Sequence, residues 1–169
     1  ADISKANNYV GTPMHDACNS GNLELCQWLY DVGASEDITK ASNYGGTPMH
    51  AACNSGNLEL CKWLVEKGAS GDISKVANDG NTPMHAACEN GHLAVCKWLF
   101  KHGATEDISK VANDGNTPMS LACQSGNLDA CQWLHDVGAS GDISKAAYDG
   151  NTPMHAACEN GHLAFCKWL

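Results

Sequence analysis

Arginine is missing from this chain: all ten basic residues are lysines, set against 19 acidic residues for a formal net charge of -9. A field of that sign repels phosphate backbones and anionic membrane surfaces, so neither nucleic acid nor a membrane is expected as a partner. No apolar run approaches the roughly 18 residues that a bilayer-spanning helix needs. Ten cysteines contain no Cys-x-x-Cys, so the usual zinc-knuckle spacing is absent. Neither Gly-x-Gly-x-x-Gly nor a phosphate loop occurs. The opening Ala1-Asp2-Ile3-Ser4-Lys5 lacks the basic and apolar regions of a secretory signal. Proline is sparse as well, and all five prolines sit in one recurring phrase.

That phrase is Thr-Pro-Met-His, at Thr12–His15, Thr47–His50, Thr82–His85 and Thr152–His155, with Thr-Pro-Met-Ser at Thr117–Ser120. The interval is 35 residues each time. A fixed period of this size marks stacked units, each covering its neighbour's apolar face. The 169 residues are expected to form one elongated domain over 1–169, with units near 1–35, 36–70, 71–105, 106–140 and a shortened 141–169. Glu106–Lys110 is the internal counterpart of the opening residues, and Lys167-Trp168-Leu169 stops within an apolar helix, so both ends read as cuts in a longer array.

Residues 79–110 show how one unit is built. Asp79-Gly80-Asn81 predicts a tight turn, with glycine supplying a positive φ. Thr82 fits a helix N-cap and Pro83 the first helical position, where its missing N–H costs nothing. Met84, Ala86, Ala87 and Cys88 continue a short helix that Gly91 ends. Leu93, Cys96, Leu99 and Phe100 then follow helical spacing over about 92–101, Val95 and Trp98 widen the apolar arc, and Gly103 stops it. The following segment is polar, with Ile108 an inward anchor and Asp107 or Ser109 the candidate cap of a short helical turn. Two helices this short have too little core to stand alone.

The cysteines fall twice per unit and always eight apart, at Cys18/Cys26, Cys53/Cys61, Cys88/Cys96, Cys123/Cys131 and Cys158/Cys166. Each lies on an apolar face, where free cysteine behaves as a small hydrophobe. Disulfides and metal binding are the alternatives. Packing cysteines fit a reducing compartment and a cytoplasmic location.

The string Asp79-Gly80-Asn81-Thr82-Pro83-Met84-His85-Ala86-Ala87-Cys88, then Asn90-Gly91-His92-Leu93 and Trp98-Leu99 before Gly103-Ala104, closely resembles the ankyrin repeat. The resemblance covers essentially all of the chain in five copies. It implies an all-α solenoid, a stack of helix-turn-helix units joined by extended hairpin-like loops, with a concave face. The family period is usually about 33 residues. The two additional residues here fall around Glu106–Ala112, so the loops are expected to lengthen or gain a small turn. Trp28, Trp63, Trp98, Trp133 and Trp168 replace a commoner aliphatic.

The resemblance also implies that His15, His50, His85 and His155 tie the capping threonine to the backbone of an adjoining loop. Ser120 should loosen that network by about 1–2 kcal/mol. His92 and His162 stand where sister copies have asparagine. No histidine pairs with serine, cysteine or aspartate at a spacing that the repeat leaves unexplained. A near-uniform stack offers little from which to build an asymmetric catalytic pocket, so no enzyme activity, cofactor or metal is expected. The tryptophan row reads as inter-helix packing, since base stacking would need a basic groove.

Function in such a frame belongs to exposed positions that vary. One set follows the histidine slot or closes the first helix, and the resemblance puts it on the concave surface; from it we single out Asp16, Glu89, Leu121, Gln124 and Glu159. The other set is the loop tips, represented by Tyr9, Tyr44, Asp79, Asp114 and Tyr148. Tyrosine is a frequent interface anchor, and acidic tips favour a protein partner with a basic patch. A protein-interaction scaffold is therefore the expected function. The alternative is a structural spacer in a longer array, or a consensus-like sequence without a specific partner. Uncapped ends would also allow end-to-end self-stacking.

Overall fold

The computed structural model describes residues 3–7 and 11–169. It contains five helical pairs: α1 (Pro13–Asn19) with α2 (Leu23–Leu29), α3 (Pro48–Ser55) with α4 (Leu58–Glu66), and α5 (Pro83–Glu89) with α6 (Leu93–Lys101). They continue as α7 (Pro118–Gln124) with α8 (Leu128–Leu134), and α9 (Pro153–Glu159) with α10 (Leu163–Trp168). No strand occurs among the described residues. The molecule is an all-helical solenoid.

Each first helix starts at a threonine N-cap with proline at the first helical position and a capping box closed by the residue three positions on. In α1, α3, α5 and α7 the buried face includes a methionine, an alanine and a cysteine, for example Met84, Ala87 and Cys88. The small alanines let the first helices approach closely, and α1, α3, α5, α7 and α9 form the continuous spine of the stack. The second helices contribute Leu29, Leu64, Leu99 and Leu134 to the same core. Burying one such leucine is worth about 1.5–3 kcal/mol, far more than a helix of two turns supplies from its own hydrogen bonds. Packing between units therefore holds the helices.

The longer linker does gain a turn. A short 3-10 segment spans Ser35–Thr39, Ala69–Asp72, Glu106–Ser109 and Ser140–Ser144. Its cap differs from the expectation: the Asp107 carboxylate is turned inward, accepting from Ser74 Oγ of the preceding linker at 2.6 Å and lying 3.8 Å from Lys110 Nζ. Asp37, Asp72 and Asp142 are equally buried, each with the lysine three residues on at 3.4–3.6 Å. Ile108 is buried, as predicted.

From that linker the chain runs into a hairpin-like loop, closed by Ala112 N–H to Asn116 O at 2.8 Å. Neighbouring loops join edge to edge. Asn78 N–H donates to Tyr44 O, Asn113 N–H to Asp79 O and Tyr148 N–H to Asp114 O, at 2.8–3.1 Å. Gly80 sits at this seam with φ 86°. A Cβ there would stand 2.7 Å from Asn113 N, so both conformation and space require glycine.

The tryptophans are packed with one exception. Tyr30 lies edge-on to Trp63 at 5.7 Å, Phe100 to Trp133 at 5.8 Å and His135 to Trp168 at 5.6 Å, each ring covered from the preceding unit. Trp28 is 53 % exposed, and no ring pairing involves it among the described residues.

All ten cysteines are free thiols. Within each unit the two sulfurs, one per helix, meet at 3.4–3.8 Å. Hydrogen bonding to its partner, then burial, pushes the Cys18, Cys88 and Cys123 thiols well up. Such thiols are poor nucleophiles and poor ligands at neutral pH. Among the described residues no group of three or more metal-ligating side chains converges. Among the described residues no helix is long and apolar enough to cross a membrane.

Candidate functional site

The face between the first helices and the hairpin-like loops carries recesses at three junctions of neighbouring units. Between α1 and α3 a recess of about 190 Å³ is lined by His15, Asn19, Ser42, His50 and Ala51, among others. Between α3 and α5 the recess is about 270 Å³, floored by Ala51 and Ala86 and walled by Tyr44, Asn54, Asp79 and Glu89. Between α7 and α9 about 120 Å³ is enclosed by Ser120, Gln124, Asp149, Asn151 and Glu159.

The capping histidines form the rigid back of this face. His85 Nδ1 accepts from the Thr82 backbone N–H at 3.1 Å and also meets Thr82 Oγ1 at 2.9 Å. Nδ1 is thereby an acceptor, so the proton sits on Nε2, which donates to Lys110 O in the next linker at 3.0 Å. His15 repeats the pattern with Thr12 and Gly46 O. The tie from capping threonine to adjoining loop therefore exists as expected at both. His50 keeps the Thr47 half, but its buried Nε2 reaches no partner within hydrogen-bond geometry. His155 keeps the Thr152 half and is exposed. Burial lowers the pKa of His15 and His50, and that of His85 to about 4, so these rings are neutral at pH 7.

Ser120 splits the two halves of that role. Its Oγ accepts from Thr117 N–H at 2.8 Å and donates within its own unit, to Asn116 Oδ1 at 3.0 Å or Thr117 O at 2.9 Å. The cap is kept. The short side chain makes no bond to the next linker, which is where the loosening falls.

His92 and His162 also show what a substitution at a repeated position does. Asn57 caps its helix through Oδ1 and donates Nδ2 to Gly21 O of the preceding unit at 2.7 Å. A histidine loses the cap but keeps the reach: His92 Nε2 bonds Asn54 O and His162 Nε2 bonds Gln124 O, both at 3.0 Å.

The structure sorts the residues singled out from sequence. Tyr44, Asp79 and Glu89 come together around the α3/α5 recess. Gln124 and Glu159 face each other across the α7/α9 recess. Asp16 is exposed on the first turn of α1, and Asp114 and Tyr148 are exposed on the loop tips, outside these recesses. Tyr9 lies outside the described residues. Leu121 is a correction: it stands where other units have Ala51, Ala86 and Ala156, and its longer side chain is laid into the stack with only 9 % exposed. It is no surface anchor.

Asp79 is held ready by its neighbour. Its carboxylate accepts from Asn81 N–H at 3.0 Å and Asn81 Nδ2 at 2.9 Å. Burial works against its charge, but Asn81's two donors outweigh it and keep the carboxyl below its ordinary pKa. Asp114 with Asn116, and Asp149 with Asn151, copy this turn. Sequence reasoning missed that His50, His85 and Asn81 line the same recess; the regular alternation of histidine and asparagine with the variable positions was the available signal.

A family model described as ankyrin repeats (3 copies) matches residues 14–110 and again 105–169. The chain belongs to the ankyrin-repeat family. No curated protein matches it. This ankyrin-repeat stack has the fold and family of a non-catalytic scaffold, of the kind generally used for protein binding.

Proposed function

We propose that this ankyrin-repeat protein binds a protein partner with a basic patch along the recessed face and the adjoining loop tips, in a reducing, cytoplasmic setting. The observation that carries the reading is the juxtaposition of exposed Tyr44 with Asp79 and Glu89 around one recess, backed by His85, whose ring is bonded on both sides. Asp79, held by Asn81, loses little entropy on binding, and the net charge of -9 favours encounter with a basic surface. Tyr148 at 78 % exposed, with Asp114, Gln124 and Glu159, extends the surface toward α9.

The test is a binding titration with a partner isolated on the folded chain. Tyr44→Ala with Glu89→Gln should weaken it at least tenfold, and Tyr148→Ala by less; unchanged affinity would reject the surface. A spacer role would be favoured if no partner dissociates on mutating any of these positions. A second reading, self-association, rests on exposed Met154, Leu163 and Leu169 of the α9/α10 unit. Sedimentation should then show a concentration-dependent dimer that Leu163→Lys abolishes.

A further inference from the structure

We infer that the α3/α5 recess is a receptor for one arginine side chain of the partner, an assignment that rests on the scaffold reading and adds the residue it takes. Three recesses along the same face differ in one instructive way. The α1/α3 recess has no carboxylate in its lining, and the α7/α9 recess has Asp149 and Glu159 but no aromatic ring. The α3/α5 recess has the equivalent carboxylates, Asp79 and Glu89, together with the ring of Tyr44 and the alanines Ala51, Ala77 and Ala86 in its lining.

Each component matches one part of an arginine. The alanine lining accepts the aliphatic stem, which loses water there. The Tyr44 ring, 63 % exposed, offers a face for the planar guanidinium. The two carboxylates accept its in-plane N–H donors, the arrangement in which arginine exceeds lysine. Neither Asp79 nor Glu89 is ion-paired within the described residues, so no internal cation has to be displaced. The chain itself contains no arginine to occupy the recess. His50 and His85 at the back of the recess are neutral at pH 7 and present no repelling charge.

The experiment is an NMR titration of the intact chain with acetyl-Gly-Ser-Arg-Ser-Gly-amide and with its lysine and citrulline counterparts. The arginine peptide should shift the resonances of Tyr44, Ala51, His85 and Glu89, and the lysine peptide should bind at least threefold more weakly. Citrulline keeps the shape without the charge and should give no saturable shift. Tyr44→Ala should weaken the arginine peptide about two- to fivefold, and Glu89→Gln about tenfold, with unchanged circular dichroism for both exposed substitutions.

A longer peptide carrying four spaced arginines separates the two levels of the argument. If it binds along Gln124 and Glu159 while the single-arginine peptide leaves the α3/α5 recess unperturbed, the receptor assignment is overturned and the basic-partner surface stands. If neither peptide binds, both fall. Equal affinity for arginine and citrulline also overturns the assignment.

Discussion

Acidification should loosen this stack through a buried imidazole, and His85 gives the size of the effect. Its folded pKa is about 4, against an ordinary value of 6.5, with burial the largest cause. The structural reason is specific: Nδ1 already accepts from Thr82 N–H, so a proton added there would face another proton. Between pH 6.5 and pH 4 the unfolded chain therefore binds a proton that the folded chain refuses. Stability from His85 is present in full above pH 6.5 and is lost as pH falls toward 4. A gap of that size corresponds to about 3 kcal/mol over the whole window, of which about 2 kcal/mol is lost between pH 7 and pH 5. His15 and His50 shift in the same direction and add to the loss. Asp72 and Asp107, raised by burial, have the opposite sign: stability is gained as pH falls through their raised values.

The assay is urea unfolding followed by tryptophan fluorescence at pH 7 and pH 5, for the native chain and for His85→Gln. Glutamine at this position can still close the capping box but does not titrate. The variant should be less stable at pH 7 and should lose about 2 kcal/mol less than the native chain on going to pH 5. Parallel losses, within about 0.5 kcal/mol of each other, would refute the argument that the cap keeps the ring neutral.

Three other outcomes follow from named contacts. Gly80→Ala should cost about 1–2 kcal/mol in urea unfolding, because its φ is positive and a Cβ meets the Asn113 backbone, whereas Gly71→Ala, with open space around it, should gain about 0.5 kcal/mol. Ser120→His should restore the bond to the next linker and stabilise the chain by about 1 kcal/mol; a loss of stability would show that Leu121 leaves no room for the ring. Thiol labelling of the folded protein should be confined to Cys158 and Cys166, with the eight buried sulfurs reacting only on unfolding; prompt labelling of any pair from Cys18 to Cys131 would contradict the packing.

The frame was legible in the sequence because it is written once per unit in residues with few structural alternatives. Thr-Pro-Met fixes a helix start, and the paired glycines fix the stops. The recurring cysteine and leucine positions must share one buried strip. Departures from the repeat were harder to read. Leu121 looked like an exposed anchor because it breaks a pattern of alanines, yet a larger apolar side chain gains more from burial than from solvent exposure. Asp107 looked like a cap because aspartate so often is one; its carboxylate is instead spent on Ser74 in the neighbouring linker, a contact between residues 33 apart. Periodicity within one unit cannot reveal which side chain a neighbouring unit requires.

The same logic explains why the recessed face differs from place to place on a uniform frame. Backbone bonds between loops recur from unit to unit, and at the bridging positions a substitution either keeps the reach to the neighbour, as His92 does, or gives that bond up, as Ser120 does. Position 44 and its equivalents carry no such duty through their side chains toward the neighbouring unit: the loop bond there uses the backbone carbonyl of Tyr44 and of Asp79 alike. A tyrosine can therefore replace an aspartate without losing a bond to the neighbouring unit, and an aromatic ring then lines the same recess as the carboxylates of the next unit. Recognition can change at that position while the stack stays intact, which is why Tyr44, rather than any of the repeated histidines, is the residue to test first.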